Sequence, residues 1–144
     1  MPTNDIESVI GRSLPSSYKG LLSEIKDFFY ISFNELRARY PDSEGVEWFF
    51  WGEDRLREKV GVDGAKSRPA WQMLQSFVEI GKCKNGDTDL LMRGFAMAED
   101  NGDYLFMDTL HDWAVYRFMH DSGEVRKVAQ TFDDWLSHAK IERT

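Results

Sequence analysis

The sequence predicts an α+β fold in which helices cover one face of an antiparallel sheet. Three observations lead there. Apolar residues recur at helical spacing early in the chain, first at Ile6, Val9 and Ile10, then at Tyr18, Leu21, Leu22 and Ile25. Between Leu90 and Val128, short strand-like runs are separated by turn residues, which is the spacing of antiparallel hairpins. A last amphipathic stretch begins near Thr131 and predicts a closing C-terminal helix.

The elements follow in order. Asn4 and Glu7 have capping-box spacing, and Gly11 is placed to end the first short helix. Pro15 suits the first turn of a second helix, where its missing N–H is no loss. The stripe of that helix is Tyr18, Leu21, Leu22, Ile25, Phe28 and Phe29, with Lys19, Ser23, Glu24, Lys26 and Asp27 opposite. Phe29 to Ile31 is short, aromatic and β-branched, and reads as a strand. Ser32 to Glu35 is a second capping box, extended by Leu36 and Tyr40 and stopped by Pro41. Val46 to Trp51 holds four aromatics and reads as a strand buried on both faces. Glu53 to Lys59 continues as a helical turn, and Gly61 to Pro69 is a loop. Trp71, Leu74, Phe77 and Val78 predict a helix, with a strand beginning at Phe77 to Ile80 as the alternative. Asn85-Gly86 carries the hairpin-turn signal. The strands predicted after it are Leu90–Met97, Asp103–Asp108, Trp113–Met119 and Val125–Val128.

The 144 residues fit one domain, spanning 1–144, and 42% are hydrophobic. Five Trp, five Tyr and ten Phe supply a core that needs neither metal nor disulfide. The one cysteine, Cys83, cannot form an internal disulfide. It lies between Lys82 and Lys84, which favours a thiolate, but no Cys-His motif surrounds it. No apolar run is long enough to span a membrane, and the N-terminal residues lack a signal peptide, so the cytoplasm is the expected compartment. The net charge of −7, from 25 acidic and 18 basic residues, argues against direct nucleic-acid binding and suits a basic partner.

The chain carries no recognisable catalytic or cofactor motif. G-x-S-x-G, Walker, G-x-G-x-x-G and HExxH patterns are absent. His111 and His120 flank a predicted strand and fall at its opposite ends, a poor arrangement for one metal. Glu99 to Asp103 has its Gly at the wrong position for a calcium loop. A binding protein without catalytic residues, metal or cofactor is therefore expected.

Surface residues carry the remaining function. Glu99, Asp100, Asp103, Asp108, Asp112, Asp121 and Glu124 are acidic, and Arg117 is the only Lys or Arg among them. One reading is a solvated set of strand ends. The other is an acidic rim that captures a basic partner. Trp48 and Trp51, bordered by Glu53 and Asp54, are either core residues or a binding hot spot. The candidate partner-binding set is Trp48, Trp51, Glu53, Asp54, Glu99, Asp100, Asp103, Asp108 and Asp112.

Four segments resemble the SUKH superfamily, in its Smi/Knr-type group. Leu14 to Leu22 is similar to its L-P-x-x-Y-K-x-x-L opening, and Gly102 to Asp108 to its Gly-Asp strand. Val115 to Asp121 is similar to its V-Y-x-x-x-H-D strand, and Val128 to Leu136 to the start of its closing helix. Thr131 stands where Ser is usual and Trp135 where Phe is usual, and Val46 to Gly86 matches no motif. The resemblance implies N-terminal helices packed on a curved antiparallel sheet. It also implies a bacterial immunity protein that blocks a cognate toxin domain, a nuclease or a deaminase, with no catalytic residues of its own. The alternative is an intracellular scaffold or regulator of the same fold, as fungal relatives are. Leu14, Tyr18, Val115, Phe118, Phe132 and Leu136 are the expected core positions.

Overall fold

A computed structural model describes residues 3–25, 28–33, 46–83 and 86–142. Helix α1 (Asn4–Ile10) begins after Thr3 and ends at Gly11, whose left-handed backbone (φ 81°) lets its N–H donate to the Glu7 carbonyl. The predicted capping box is replaced by a wider arrangement. The Glu7 carboxylate accepts from Thr3 Oγ1 at 3.0 Å, Leu14 N at 2.7 Å and Lys19 Nζ at 3.3 Å. Burial favours its protonated form, but these partners outweigh burial and hold its pKa below the ordinary glutamate value. One carboxylate thus ties α1 to the next helix, α2 (Ser16–Glu24).

Helix α2 buries Tyr18, Leu21 and Leu22, and stops where Ile25 turns extended. Phe28 and Phe29 therefore leave the predicted stripe and open strand β1 (Phe28–Phe33). Ser32 and Phe33 belong to the same strand, so no helix starts at Ser32. Asn34 to Pro41 lie outside the described residues.

Strand β2 (Val46–Trp51) pairs antiparallel with β1. Next come α3 (Glu53–Arg57), two short paired strands, β3 (Lys59–Val60) and β4 (Arg68–Pro69), a 3₁₀ turn at Ala70–Gln72, and α4 (Leu74–Glu79). The expected helix around Trp71 thus forms in two pieces. Helix α5 (Thr88–Met92) occupies the first part of the segment predicted as a strand from Leu90. The strand itself, β5 (Gly94–Asp100), starts later. The chain ends through β6 (Asp103–Asp108), β7 (Val115–Met119), β8 (Glu124–Ala129), α6 (Phe132–His138) and a short unpredicted strand, β9 (Lys140–Glu142). Thr131 caps α6, its hydroxyl accepting from Asp134 N at 3.0 Å.

The main sheet has seven antiparallel strands in the order β8-β7-β6-β5-β2-β1-β9. Register shifts between Ala96 and Ala98 and beside Val115 are bulges, which bend strands and raise their twist. Helices α2 and α6 share one face: Tyr18 meets Phe95 and Phe132 edge-on at 5.4 Å, and Trp135 lies 5.3 Å from Phe50. Helix α4 covers the opposite face, where Phe77 packs on Tyr104 and Phe118 at 5.8 and 5.0 Å. Phe95 to Ala98 and Tyr104 to Asp108 are buried without a break. Central strands buried on both faces lose the alternation that a half-exposed sheet shows. The buried apolar residues form one cluster, which includes the expected Leu14, Tyr18, Val115, Phe118 and Phe132, with Leu136 half-buried at its margin.

Candidate functional site

Strand β2 is interior to the sheet, and this decides the fate of its aromatics. Trp48 and Trp51 are buried, so neither is a free hot spot; the core reading of both holds. The Arg117 guanidinium lies 5.5 Å from the Trp48 ring centre, a cation–π contact. The indole N–H of Trp51 donates to Glu99 Oε1 at 3.3 Å, and its ring faces Tyr104 at 6.2 Å. Burial pushes the Tyr104 phenol up to about 12.

Asp108 is also removed from the surface set. It ends β6 at 1% exposure and accepts four hydrogen bonds. Two come from Arg93, Nε at 2.8 Å and Nη2 at 3.1 Å; two come from the backbone N–H groups of Leu110 and His111 at 2.9 and 3.3 Å. Burial alone would raise its pKa, but these donors hold it below the usual carboxylate value. A carboxylate so enclosed organises the β6–β7 turn and has no face left for a partner.

Asp103 plays a similar part at the other end of β6. Its carboxylate accepts from Arg117 Nη2 at 2.9 Å and from His120 N at 3.1 Å, and lies 2.8 Å from His120 Nδ1. The other ring nitrogen of His120 is 3.0 Å from Asp121. Burial opposes the charge of Asp103, yet Arg117 and His120 keep its pKa below the ordinary value. The His120 ring lies over Gly102, where an added Cβ would come within 3.0 Å of it. Asn101 and Gly102 both have positive φ, 49° and 90°, the backbone of a two-residue hairpin turn. The Asn-Gly pair that makes a hairpin is therefore this one. Gly86 leads instead into α5, while Asn85 lies outside the described residues.

The acidic residues that run together in sequence separate in space, because each hairpin reverses direction. Glu99, Asp100, Asp103, Asp121 and Glu124 gather where the β5–β6 and β7–β8 turns meet. Asp108 and Asp112 fall at the opposite end, and α3, with half-buried Glu53 and exposed Asp54, follows β2 towards that same end. Of the acidic members of the predicted set, Glu99, Asp100 and Asp103 are brought together, and buried Trp51 reaches Glu99 from beneath. Asp121 and Glu124, both exposed, complete that surface. Sequence reasoning grouped all these acids but missed that Arg117 and His120 would engage Asp103.

His111 and His120 sit at opposite ends of the sheet, as their spacing predicted. Among the described residues no group of three or more His, Cys, Asp or Glu side chains is placed to hold a metal. Cys83 is half-buried, with Sγ 3.5 Å from Thr88 Oγ1. No described helix is long and apolar enough to cross a membrane.

The model of the SMI1/KNR4 family (SUKH-1) matches residues 3–138, from the residue before α1 to the end of α6. No curated protein and no solved structure matches the chain. The match takes in all four segments whose resemblance was noted and also the middle of the chain, where no motif was visible. The chain belongs to the SMI1/KNR4 family (SUKH-1).

Proposed function

We propose that this protein is a non-catalytic binding protein that neutralises a cognate toxin domain by covering its working surface. Membership of a family often linked to toxin-immunity systems is the observation that carries the reading. The charge layout supports it. At the meeting point of the β5–β6 and β7–β8 turns, Asp100, Asp121 and Glu124 stand open to some degree, while Arg117 is committed to Asp103. Such a surface draws a basic partner and speeds its capture. Nucleases and deaminases bind anionic nucleic acid and present such surfaces. The protein would act in the cytoplasm, as one domain, without metal or cofactor.

The test is growth of a heterologous host that expresses the toxin domain encoded beside this chain, with and without the chain. Rescue by this chain alone supports neutralisation. Toxicity without rescue, or no toxicity, sinks it and favours a scaffold or regulator.

A further inference from the structure

Three large apolar side chains stand exposed among the described residues: Val9 at 65%, Met92 at 43% and Leu110 at 45%. They are distant in sequence but converge on one surface. Val9 and Met92 line a cleft that also includes Thr109, and Leu110 follows Thr109 in the chain. A second cleft, between α1 and α3, shares Val9, Trp71 and Gln72 with the first. The two clefts adjoin along α1 and share one wall, and together they form a groove. Single exposed apolar residues are ordinary, but a continuous set marks a contact surface.

The polar groups around the groove define what fits it. Arg57 is held by both carboxylate oxygens of Asp5, at 2.8 and 2.9 Å, and Arg93 by Asp108. Asp89 lies three residues before Met92, on the same side of α5; it is exposed and close enough to Arg93 to act on its charge, although Arg93 is already held by Asp108. Asp112 lies two residues after Leu110, exposed and unpaired, on a left-handed backbone (φ 56°). Arg57 and Arg93 are thus each matched by a carboxylate, and Asp89 and Asp112, close in the chain to Met92 and Leu110, leave this surface with an excess of negative charge. Gln75 Nε2 donates to the Met92 carbonyl at 3.1 Å. The Gln72 amide, by contrast, has no such bond among the described residues and offers both a donor and an acceptor to an incoming backbone.

We infer that this groove docks a segment of another protein that carries apolar side chains flanked by Lys or Arg. The surface lies away from the β5–β6 turn and does not depend on toxin neutralisation. Short fluorescent peptides test it: two Leu flanked by Lys, the same Leu flanked by Glu, and a Lys-flanked peptide with Ser in place of Leu. Fluorescence polarisation gives affinity, and backbone amide NMR shifts locate the site. The Lys-flanked Leu peptide should bind at least about tenfold more tightly than either control, a difference of about 1.4 kcal/mol. Its shifts should centre on Val9, Gln72, Met92 and Leu110, and V9S or M92S should each weaken it several-fold. A Ser variant can lose stability, so the pair D89K and D112K serves as a second arm: it should invert the preference toward the Glu-flanked peptide. Equal binding of the Lys and Glu peptides, indifference to all four substitutions, or no binding up to about 1 mM overturns the inference. Concentration-dependent dimerisation lost in M92S also overturns it, by giving the groove to a second copy of the chain.

Discussion

Replacing Asp108 by Ala separates a structural role from a binding role in one measurement. The substitution removes four hydrogen bonds, and it leaves Arg93 and two turn N–H groups without their acceptor. Breaking a buried ion pair from one side costs about 3–5 kcal/mol. The Arg93 side chain keeps 30% exposure, so water recovers part of its loss and the lower end, about 3 kcal/mol, applies. For a chain of this size that lowers Tm by about 6–12 °C. D112A should stay within about 0.5 kcal/mol, because its carboxylate has no partner among the described residues. The assay is thermal unfolding followed by circular dichroism, repeated as a function of pH. A carboxylate whose folded pKa is lowered contributes stability above its unfolded pKa, near 3.9 in model peptides. That contribution disappears as pH falls through the lowered folded value. The gap between the wild type and D108A should therefore be full at neutral pH and narrow in acid. A Tm within about 2 °C of the wild type at neutral pH, or a gap independent of pH, would refute the reasoning.

Three further outcomes are expected. G102A should cost about 1–2 kcal/mol in urea unfolding from backbone strain at φ 90° alone, and more from the His120 contact; measured in an H120A background, which lacks that contact, the cost of G102A should fall to the first part. T131A should cost about 1 kcal/mol by removing the cap of α6, and a change below about 0.3 kcal/mol would show that the Asp134 N–H finds water instead. D100K/D121K should slow association with a toxin partner by about tenfold at low salt and flatten its salt dependence, while dissociation stays nearly constant. An unchanged on-rate in stopped-flow mixing would remove the acidic turn from the capture mechanism.

The legible parts of this fold are those where two local signals agree. Strand β6 and helix α6 were read with nearly correct bounds, because Gly102 and the Thr131 cap mark their starts and the apolar spacing confirms their type. Errors arose where one signal stood alone. Leu90, Leu91 and Met92 form a short apolar run that fits a strand or a buried helical turn equally well, and tertiary packing made it α5. Phe28 and Phe29 continue the α2 period numerically, but Ile25 leaves the helical region first. Two Asn-Gly pairs compete for the hairpin, and only Asn101-Gly102 is flanked by strands of matched length. Strand β9 is three residues long, too short to carry any period. The acidic rim failed as a unit for a topological reason: adjacency in sequence becomes opposition in space when a strand separates Asp103 from Asp108. Val9 fits the α1 stripe by spacing but stands exposed, because a seven-residue helix cannot bury every position of its apolar side.

Helices on both faces of the sheet divide this molecule into a tightly packed interior and an open periphery. The helices cover the central strands, so among the described residues a partner meets strand ends, turns, the exposed edge strand β8 and the outer sides of helices. Asp100, Asp121, Asp89 and Asp112 all sit at such places, and none is tied into the aromatic interior. Such residues can be exchanged for others without repacking Trp48, Phe95 or Trp135. Substitutions at these turns can therefore change what the surface presents while folding stability stays within about 0.5 kcal/mol.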